Sequence, residues 1–240
     1  MRYAIIAAGE GSRLAAEGIP ESKPLVRIQG APLVDRLLRI FMSCNAADIV
    51  VVCNEQMKDV QAHLLSIQRD GLDGRKIPLR VKIMTTPSSM HSLYALSEWL
   101  QGAPFCLTTV DTVFRENEFI DYVKTFEKMM DDGEEDGLMG VTSYIDDEKP
   151  LYVGVNDRYQ VTGFYDEARD CSYISAGIYG LNDRSLKTLQ TCVLRGERRM
   201  RNFQRALVAD GMRLLAYPFS KVLDIDHAHD IEMAEQFLKA

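Results

Sequence analysis

The chain has 240 residues, 46% hydrophobic and 26% charged, which suits one sizeable domain or one domain with a small insertion. Its formal net charge of -7 argues against a nucleic-acid-binding protein but leaves room for a small anionic ligand beside clustered cations. The apolar run before Gly9 is too short for a signal peptide or a membrane span, and the five scattered cysteines are typical of reduced thiols. We therefore expect a cytoplasmic protein without nucleic-acid or membrane partners; the oligomeric state is left open.

In the first half of the chain, apolar runs of strand length alternate with helical patterns. The predicted strands are 3–8, 48–53, 79–84 and 104–110, and the predicted helices are 32–44, 55–69 and 92–100. In the first helix, apolar Leu33, Leu37, Leu38 and Phe41 share one face. The strands are continuously apolar, which favours burial on both faces, as in a parallel sheet covered by helices on both sides.

The pattern changes after the acidic stretch 131–137, which we interpret as a solvated turn. The predicted strands that follow are 138–145, 150–155, 159–165, 172–181 and 213–219, and the predicted helices are 183–193, 199–210 and a last one from 228. The second half is therefore expected to be a mixed region folded against the first.

Glycines and an arginine follow the first strand directly, in the stretch AAGEGSRL at residues 7–14. A Walker A loop would need a lysine after its last glycine, and none is present. A dinucleotide fingerprint would need a third glycine where Leu14 stands, and a helix where 15–24 has two prolines and a glycine. Neither of these phosphate sites fits the stretch.

The remaining pattern, G-x-G-S-R-L followed by K-P-L at 23–25, resembles the nucleotidyltransferase superfamily, which includes NDP-sugar pyrophosphorylases and MobA-like NTP transferases. This resemblance implies an α/β protein of three α/β/α layers. Its sheet would be mixed and mainly parallel, with the Rossmann-like fold of the nucleotide-diphospho-sugar transferases. We expect a single domain over 1–240, with a nucleotide-binding half at 1–130 and an acceptor-binding half at 137–240.

The resemblance also implies which residues bind the nucleotide. Gly9 and Gly11 would bring backbone N–H groups to the triphosphate. Arg13 and Lys23 would be the catalytic cations, and we expect both in a polar loop rather than in the core. The expected nucleotide-binding residues are Ala7, Ala8, Gly9, Gly11, Ser12, Arg13, Lys23 and Ser89.

Three aspartates are candidate ligands for Mg²⁺, the cofactor that the family implies. Asp111 follows an apolar strand, at the edge of a sheet where ligands bind in α/β proteins. Asp224 and Asp226 resemble the closing motif of the family, and they would face the same side of an extended strand. We prefer Asp226, although D-H-A-H-D is also typical of an ordinary helix start. His227 and His229 lack the further ligands of a zinc site.

The acceptor region departs from the family pattern. Asp166 and Glu167 stand where sugar nucleotidyltransferases often carry Glu-Lys, so a phosphate-binding lysine is replaced by an acid. This reversal predicts that the acceptor is not an ordinary hexose 1-phosphate bound in the common way, unless the loop swings outward. The helical face of Arg198, Arg201 and Arg205 could supply other cations, or it could simply be solvated.

The resemblance predicts a magnesium-dependent nucleotidyltransferase that transfers NMP from an NTP to a phosphorylated small-molecule acceptor and releases pyrophosphate. A sugar 1-phosphate is the first choice of acceptor, as in sugar-nucleotide biosynthesis. The alternatives are a phosphocholine-like or phosphonate acceptor, a molybdopterin cofactor, and a nucleotide-sensing module without turnover.

Overall fold

The computed structural model describes residues 1–145 and 149–239. The strands there are β1 (Arg2–Ala7), β2 (Arg27–Ile28), β3 (Ala31–Pro32), β4 (Asp48–Cys53), β5 (Leu79–Ile83), β6 (Phe105–Thr109), β7 (Thr112–Val113), β8 (Gly137–Thr142), β9 (Tyr152–Val155), β10 (Val161–Tyr165), β11 (Tyr173–Leu181), β12 (Leu214–Phe219) and β13 (Leu223–Asp224). The helices are α1 (Ser12–Ala16), α2 (Leu33–Ser43), α3 (Lys58–Asp70), α4 (Ser89–Leu100), α5 (Glu116–Asp132), α6 (Ser185–Leu194), α7 (Met200–Ala209) and α8 (Ala228–Lys239), with a 3₁₀ turn at Lys23–Leu25. None of these helices is long and apolar enough to cross a lipid bilayer.

The first half builds a parallel sheet with strand order β6, β1, β4, β5. The central strands β1 and β4 are buried along nearly their whole length, as their unbroken apolar sequences predict. In a parallel sheet all the strands end at the same edge. The loops after β1, β4 and β6 therefore meet there, and the candidate site lies among them.

The second half joins this sheet through β11, which runs antiparallel to β6 and to β8. Residues 178–181 of β11 pair with β6, whereas Tyr173 and Ile174 pair with β9 on the same side. The hairpin of β9 and β10 therefore lies beside β11 in the region beyond the carboxyl end of β6. A register shift in β11 near Gly177, which has a φ of 69°, accompanies this change of partner.

Helices cover both faces of the sheet, which gives the predicted three-layer α/β/α architecture. One apolar core lies between the sheet and α2, α3, α5 and α8. The other core lies between the sheet and α4, α6 and α7. The predicted face of α2 is buried, since Leu33, Leu37, Leu38 and Phe41 are each at most 2% exposed. The mixed, mainly parallel sheet is confirmed; that the chain is a single domain stays a prediction.

Two features differ from the sequence expectations. The 17-residue helix α5 was not predicted, although Phe119, Tyr122 and Phe126 follow a helical spacing and are fully buried. The acidic stretch is not simply a solvated turn, because Asp136 is 5% exposed. Its carboxylate accepts hydrogen bonds from Asn182, Arg184 and the backbone N–H of Arg213, and so it links the starts of β8, α6 and β12.

Candidate active site

The two glycines of the loop between β1 and α1 have different surroundings. Gly11 has a φ of 62°, and a Cβ placed on it would lie 2.9 Å from Cβ of Lys23. The backbone and the packing of the chain therefore both require glycine there. A Cβ on Gly9 would meet nothing within 4 Å. The open space beside Gly9 leaves room for a ligand to approach the backbone closely.

Lys23 occupies the centre of the site, and its burial corrects the expectation of an exposed loop lysine. The residue is 8% exposed and begins the 3₁₀ turn that Pro24 continues. Its Nζ lies 2.5 Å from Oδ2 of Asp111 and 2.7 Å from Oδ1 of Asp226. Arg13, in contrast, is exposed as expected, and its Nη1 lies 3.0 Å from Oδ2 of Asp226.

The two aspartates come together because their loops are joined by backbone hydrogen bonds. Asp111 lies between β6 and β7, and the two-residue strand β13 pairs with β7. The backbone N–H of Ile225 also donates to the carbonyl oxygen of Asp111 at 3.1 Å. Asp226 therefore lies beside Asp111 although more than a hundred residues separate them in sequence.

The charges of this cluster stabilise one another. Burial acts to lower the pKa of Lys23, but the carboxylates of Asp111 and Asp226 outweigh it, so the pKa is raised. Burial likewise acts to raise the pKa of Asp226, but its bonds to Lys23 and the charge of Arg13 lower it on balance. At neutral pH the lysine is therefore an ammonium and Asp226 is a carboxylate.

Asp224 has a different position from Asp226. The strand ends at Asp224, so the extended geometry that would place both aspartates on one side does not continue to Asp226. Asp224 pairs with Thr112 across β13 and β7, whereas Asp226 bonds to Lys23. The preference for Asp226 is thus supported by the position of the lysine.

The start of α8 is capped by other acids, so the side chain of Asp226 is left for the site. The Asp230 carboxylate accepts hydrogen bonds from the backbone N–H groups of Asp226 and His227, at 2.8 and 2.6 Å. Glu17, which follows α1, accepts one from the N–H of Ala228 at 2.7 Å. His227 bonds to Glu17 through its Nδ1.

A cavity of about 440 Å³ opens above this cluster at the carboxyl edge of the parallel strands. The predicted residues that line it are Ala8, Gly9, Gly11, Ser12, Arg13, Lys23, Ser89, Asp111 and Asp226. Ala7 is wholly buried in β1, and it is not among the lining residues. The sequence therefore identified about half of the residues that line this cavity.

The lining also includes residues that the sequence analysis missed, chiefly Asn54. This side chain is 3% exposed and follows β4; its Nδ2 donates to the carbonyl oxygen of Ala8 at 3.3 Å. Its Oδ1 accepts from the hydroxyl of Thr85 at 2.9 Å. The expectation that polar residues at strand ends meet at one edge could have found Asn54, because it follows a strand as Asp111 does.

A second, smaller cavity of about 80 Å³ adjoins the first and shares Arg13 and Asp226 with it. It is lined by Ile174, Ser175 and Ala176 of β11 and by residues near α8, Asp224 and Asp230 among them. Arg13 and Asp226 therefore stand where the two cavities meet.

The unusual acids of the acceptor region line neither of these cavities. Both oxygens of Asp166 pair with arginines of α7, at 2.5 Å from Arg201 and 2.8 Å from Arg205. Glu167 is exposed. The two acids therefore lie away from both cavities, and Arg201 and Arg205 anchor β10 rather than forming a solvated face.

A glycine loop, a paired lysine and two aspartates lie together at the carboxyl edge of a three-layer sheet. Residues 3–135 match the family model of the MobA-like NTP transferase domain. The chain therefore belongs to this family, as its sequence motifs predicted.

Comparisons with individual proteins agree. The chain is 23% identical over 256 residues to the bifunctional protein GlmU of Thermodesulfovibrio yellowstonii, covering 100% of this chain and 52% of that protein. It thus spans about half the length of this curated relative.

Two solved structures share the fold. A Bacillus anthracis protein assigned as a glucose-1-phosphate thymidylyltransferase has a TM-score of 0.82 at 18% identity, covering 100% of this chain and 95% of that one. The CTP:phosphocholine cytidylyltransferase of Streptococcus pneumoniae has a TM-score of 0.75 at 16% identity, covering 99% and 98%. These similarities confirm the fold of the nucleotide-diphospho-sugar transferases.

Proposed function

We propose that this protein transfers NMP from a nucleoside triphosphate to a phosphorylated small molecule and releases pyrophosphate. The observation that carries the proposal is the ammonium of Lys23 between the carboxylates of Asp111 and Asp226, beside the glycine loop. This arrangement gathers cations and anions at one point, as the transfer of a highly charged group requires.

The larger cavity is the nucleotide site in this proposal. Its 440 Å³ lie in the range of small-molecule pockets, about 300–1,000 Å³. The open backbone around Gly9 would contact the triphosphate, with Arg13 and Lys23 balancing its charge. Asn54, Thr85 and Ser89 offer the hydrogen-bonding groups that could recognise the base or ribose.

Asp111 and Asp226 form a donor set that fits Mg²⁺. Their oxygens bond to the same Nζ, so they lie within about 5 Å of each other, and that nitrogen holds a positive charge between them. Mg²⁺ prefers one or two carboxylates together with phosphate oxygens, and the described residues contain no cluster of three or more acidic, His or Cys side chains for another kind of metal site. When bound, the ion would neutralise phosphate charge. Lys23 would then be free to contact the triphosphate.

The smaller cavity is the acceptor site. A phosphate oxygen of the acceptor would form a bond to the α-phosphorus, and the bond from this phosphorus to the bridging oxygen of pyrophosphate would break. The electron pair leaves with pyrophosphate, so no covalent intermediate is needed. Arg13, where the two cavities meet, would align the acceptor phosphate with the nucleotide and stabilise the charge that develops.

A sugar 1-phosphate is our first choice of acceptor, and a choline-like one is the second. The second choice rests on the smaller cavity, whose lining includes the carboxylates of Asp224 and Asp230. Carboxylates suit a cationic head group, whereas the Tyr144 ring already carries the Lys221 ammonium 4.0 Å from its centroid. Asp166 and Glu167 give no support to this choice, because they line neither of the two cavities.

The test is pyrophosphate release from each of four nucleoside triphosphates with hexose 1-phosphates, phosphocholine and a phosphonate. We expect Mg²⁺-dependent release with one pair. Arg13→Ala should lower the rate by about 10²–10³-fold, the usual effect of losing one transition-state contact, while Arg27→Ala on nearby β2 serves as the control. Asp111→Asn should abolish the metal dependence and most of the rate. Release that persists in excess chelator would contradict the metal role. Nucleotide binding without release from any acceptor would instead favour a sensor.

A further inference from the structure

Glu17 connects α1, the short helix after the glycine loop, to the first turn of α8 through hydrogen bonds. It directly follows α1, and its two carboxylate oxygens have different partners at the start of α8. Oε2 accepts a hydrogen bond from the backbone N–H of Ala228 at 2.7 Å. Oε1 lies 2.5 Å from Nδ1 of His227, a residue 210 positions later in the chain.

Asp226 lies directly beside the backbone that Glu17 holds. The Asp230 carboxylate holds the N–H groups of Asp226 and His227 from within α8. Arg13, on the same short helix that Glu17 ends, bonds to the Asp226 carboxylate at 3.0 Å. The helix α1 therefore contacts both the Asp226 side chain and the backbone next to it.

Neither segment has enough regular structure to keep this geometry alone. The helix α1 has five residues and the strand β13 before Asp226 has two. Isolated helices of fewer than about 12 residues are marginal in water, and so a single turn needs tertiary contacts to hold its place. The contacts of Glu17 and Arg13 with residues 226–228 supply them.

We propose that Glu17 is a positioning residue that sets the place of the Asp226 carboxylate relative to the phosphate loop. The inference rests on the proposed function, in which Asp226 holds the metal with Asp111. Glu17 reaches neither the metal nor the nucleotide in this role. It acts through the backbone of residues 227 and 228, as the partners that orient metal ligands do.

The test follows metal binding directly. Mn²⁺ is titrated into the full-length protein by electron paramagnetic resonance, with the nucleoside triphosphate that the wild type binds most tightly present at saturation. Losing a partner that orients a metal ligand typically weakens metal binding by about 10–100-fold, and we expect this loss in Glu17→Ala. Glu17→Gln keeps an oxygen for the N–H of Ala228, so it should lie between Glu17→Ala and the wild type. Glu21→Ala removes an exposed acid of the same loop and should bind like the wild type.

A capping role for α8 alone would give a different result. It would lower the melting temperature of Glu17→Ala and leave its affinity for Mn²⁺ unchanged, and this pattern would overturn the proposal. If Glu17→Ala does not fold, the Mn²⁺ affinity and melting temperature of Glu17→Gln are compared with those of the wild type instead. Asp226→Asn is the reference and should weaken Mn²⁺ binding at least as much. If the wild type binds no Mn²⁺ with any nucleotide, the proposed function fails and this inference fails with it.

Discussion

At the scale of single residues, Lys23 shows how tertiary contacts change the role of a charge. A lysine in a polar loop is normally solvated, but this one is buried between Asp111 and Asp226. Removing it would leave Asp111 without this ammonium and facing Asp226, which would keep its bond to Arg13. The residue therefore has a structural role in addition to the catalytic role that the sequence motif implies.

The first prediction is that Lys23→Ala loses stability as well as turnover. Leaving buried groups unpaired costs on the order of 1–3 kcal/mol, and we expect the lower part of this range because Asp226 is 43% exposed. The melting temperature should fall by about 2–4 °C per kcal/mol. Mg²⁺ should restore part of the loss in Lys23→Ala by replacing the ammonium between the carboxylates.

Differential scanning fluorimetry with and without Mg²⁺ measures this effect, with exposed Lys58→Ala as the control. Burial acts to lower the pKa of Lys23, but Asp111 and Asp226 raise it above its ordinary value of 10.5. A group with a raised pKa contributes fully below its unfolded value, so the whole contribution is present at pH 7. Equal melting temperatures for Lys23→Ala and the wild type without metal would contradict the prediction.

At the scale of elements, the loop between β1 and α1 needs its two glycines for separate reasons. Gly11 has a left-handed φ and lies against Lys23, whereas Gly9 has open space on the cavity side. The sequence motif assigned both glycines to close approach of the nucleotide. In the proposed function only Gly9 keeps this role, because Gly11 is required by its backbone conformation and by Lys23.

The second prediction separates these two roles. Gly11→Ala should be destabilised by at least about 1–2 kcal/mol, the usual cost of a left-handed residue with a Cβ, because Lys23 must also move. Gly9→Ala should keep the stability of the wild type but bind nucleoside triphosphates more weakly, since its methyl group would block the backbone. Urea unfolding and calorimetric titration with NTP and Mg²⁺ measure the two effects. Unchanged nucleotide affinity in Gly9→Ala would refute the assignment.

The third prediction concerns the anchor between β10 and α7. Hydrogen bonds from Arg205 and then Arg201 lower the pKa of Asp166 below its ordinary value of 3.8. A lowered pKa contributes stability above the unfolded value and loses it as the pH falls through the folded value. Asp166→Asn should therefore be less stable than the wild type at pH 6, and the difference should shrink below pH 3.8.

Urea midpoints at pH 6 and at pH 3 measure this anchor. Glu167→Gln removes a neighbouring exposed carboxylate and serves as the control at both values. A difference between Asp166→Asn and the wild type that is the same at the two values would show that the arginine pairs contribute no pH-dependent stability.

At the scale of the whole molecule, the site depends on both halves of the chain. Lys23 and Asp111 lie in the first half and Asp226 lies near the end, so the family match over 3–135 does not contain the complete cluster. The sheet also depends on both halves of the chain, because β11 from the second half pairs with β6 from the first. Both features agree with one folding unit.

The fourth prediction is that the intact chain unfolds in one cooperative transition and that residues 1–135 alone do not fold. The fragment would expose the edge of β6 that β11 covers, and exposed central strands promote aggregation. Circular dichroism and fluorescence should give coincident unfolding curves for the intact chain. A soluble, cooperatively folded fragment, or two separate transitions in the intact chain, would contradict the prediction of a single domain.

The sequence by itself determined most of the longer strands and helices, the family and about half of the residues that line the larger cavity. Strand and helix patterns are local, and a phosphate loop is a continuous stretch of backbone, so both can be recognised from neighbouring residues. Asp111 could be found in the same way, because a strand that ends in a carboxylate is also a local feature. The helix α5 was missed although its buried aromatic residues have helical spacing. The sequence therefore contained the pattern needed to predict this helix.

Only the tertiary structure showed that Asp226 bonds to Lys23, that Lys23 is buried, and which partners Glu17 and Asp166 have. Asp226 is the aspartate beside Lys23 because β13 ends at Asp224 and pairs with β7. This pairing brings the residues that follow Asp224 next to Asp111. Glu17 and His227 meet across 210 positions of the chain. Contacts of this range depend on how loops from separate strands converge at one edge of the sheet, and no local pattern in the sequence encodes that convergence.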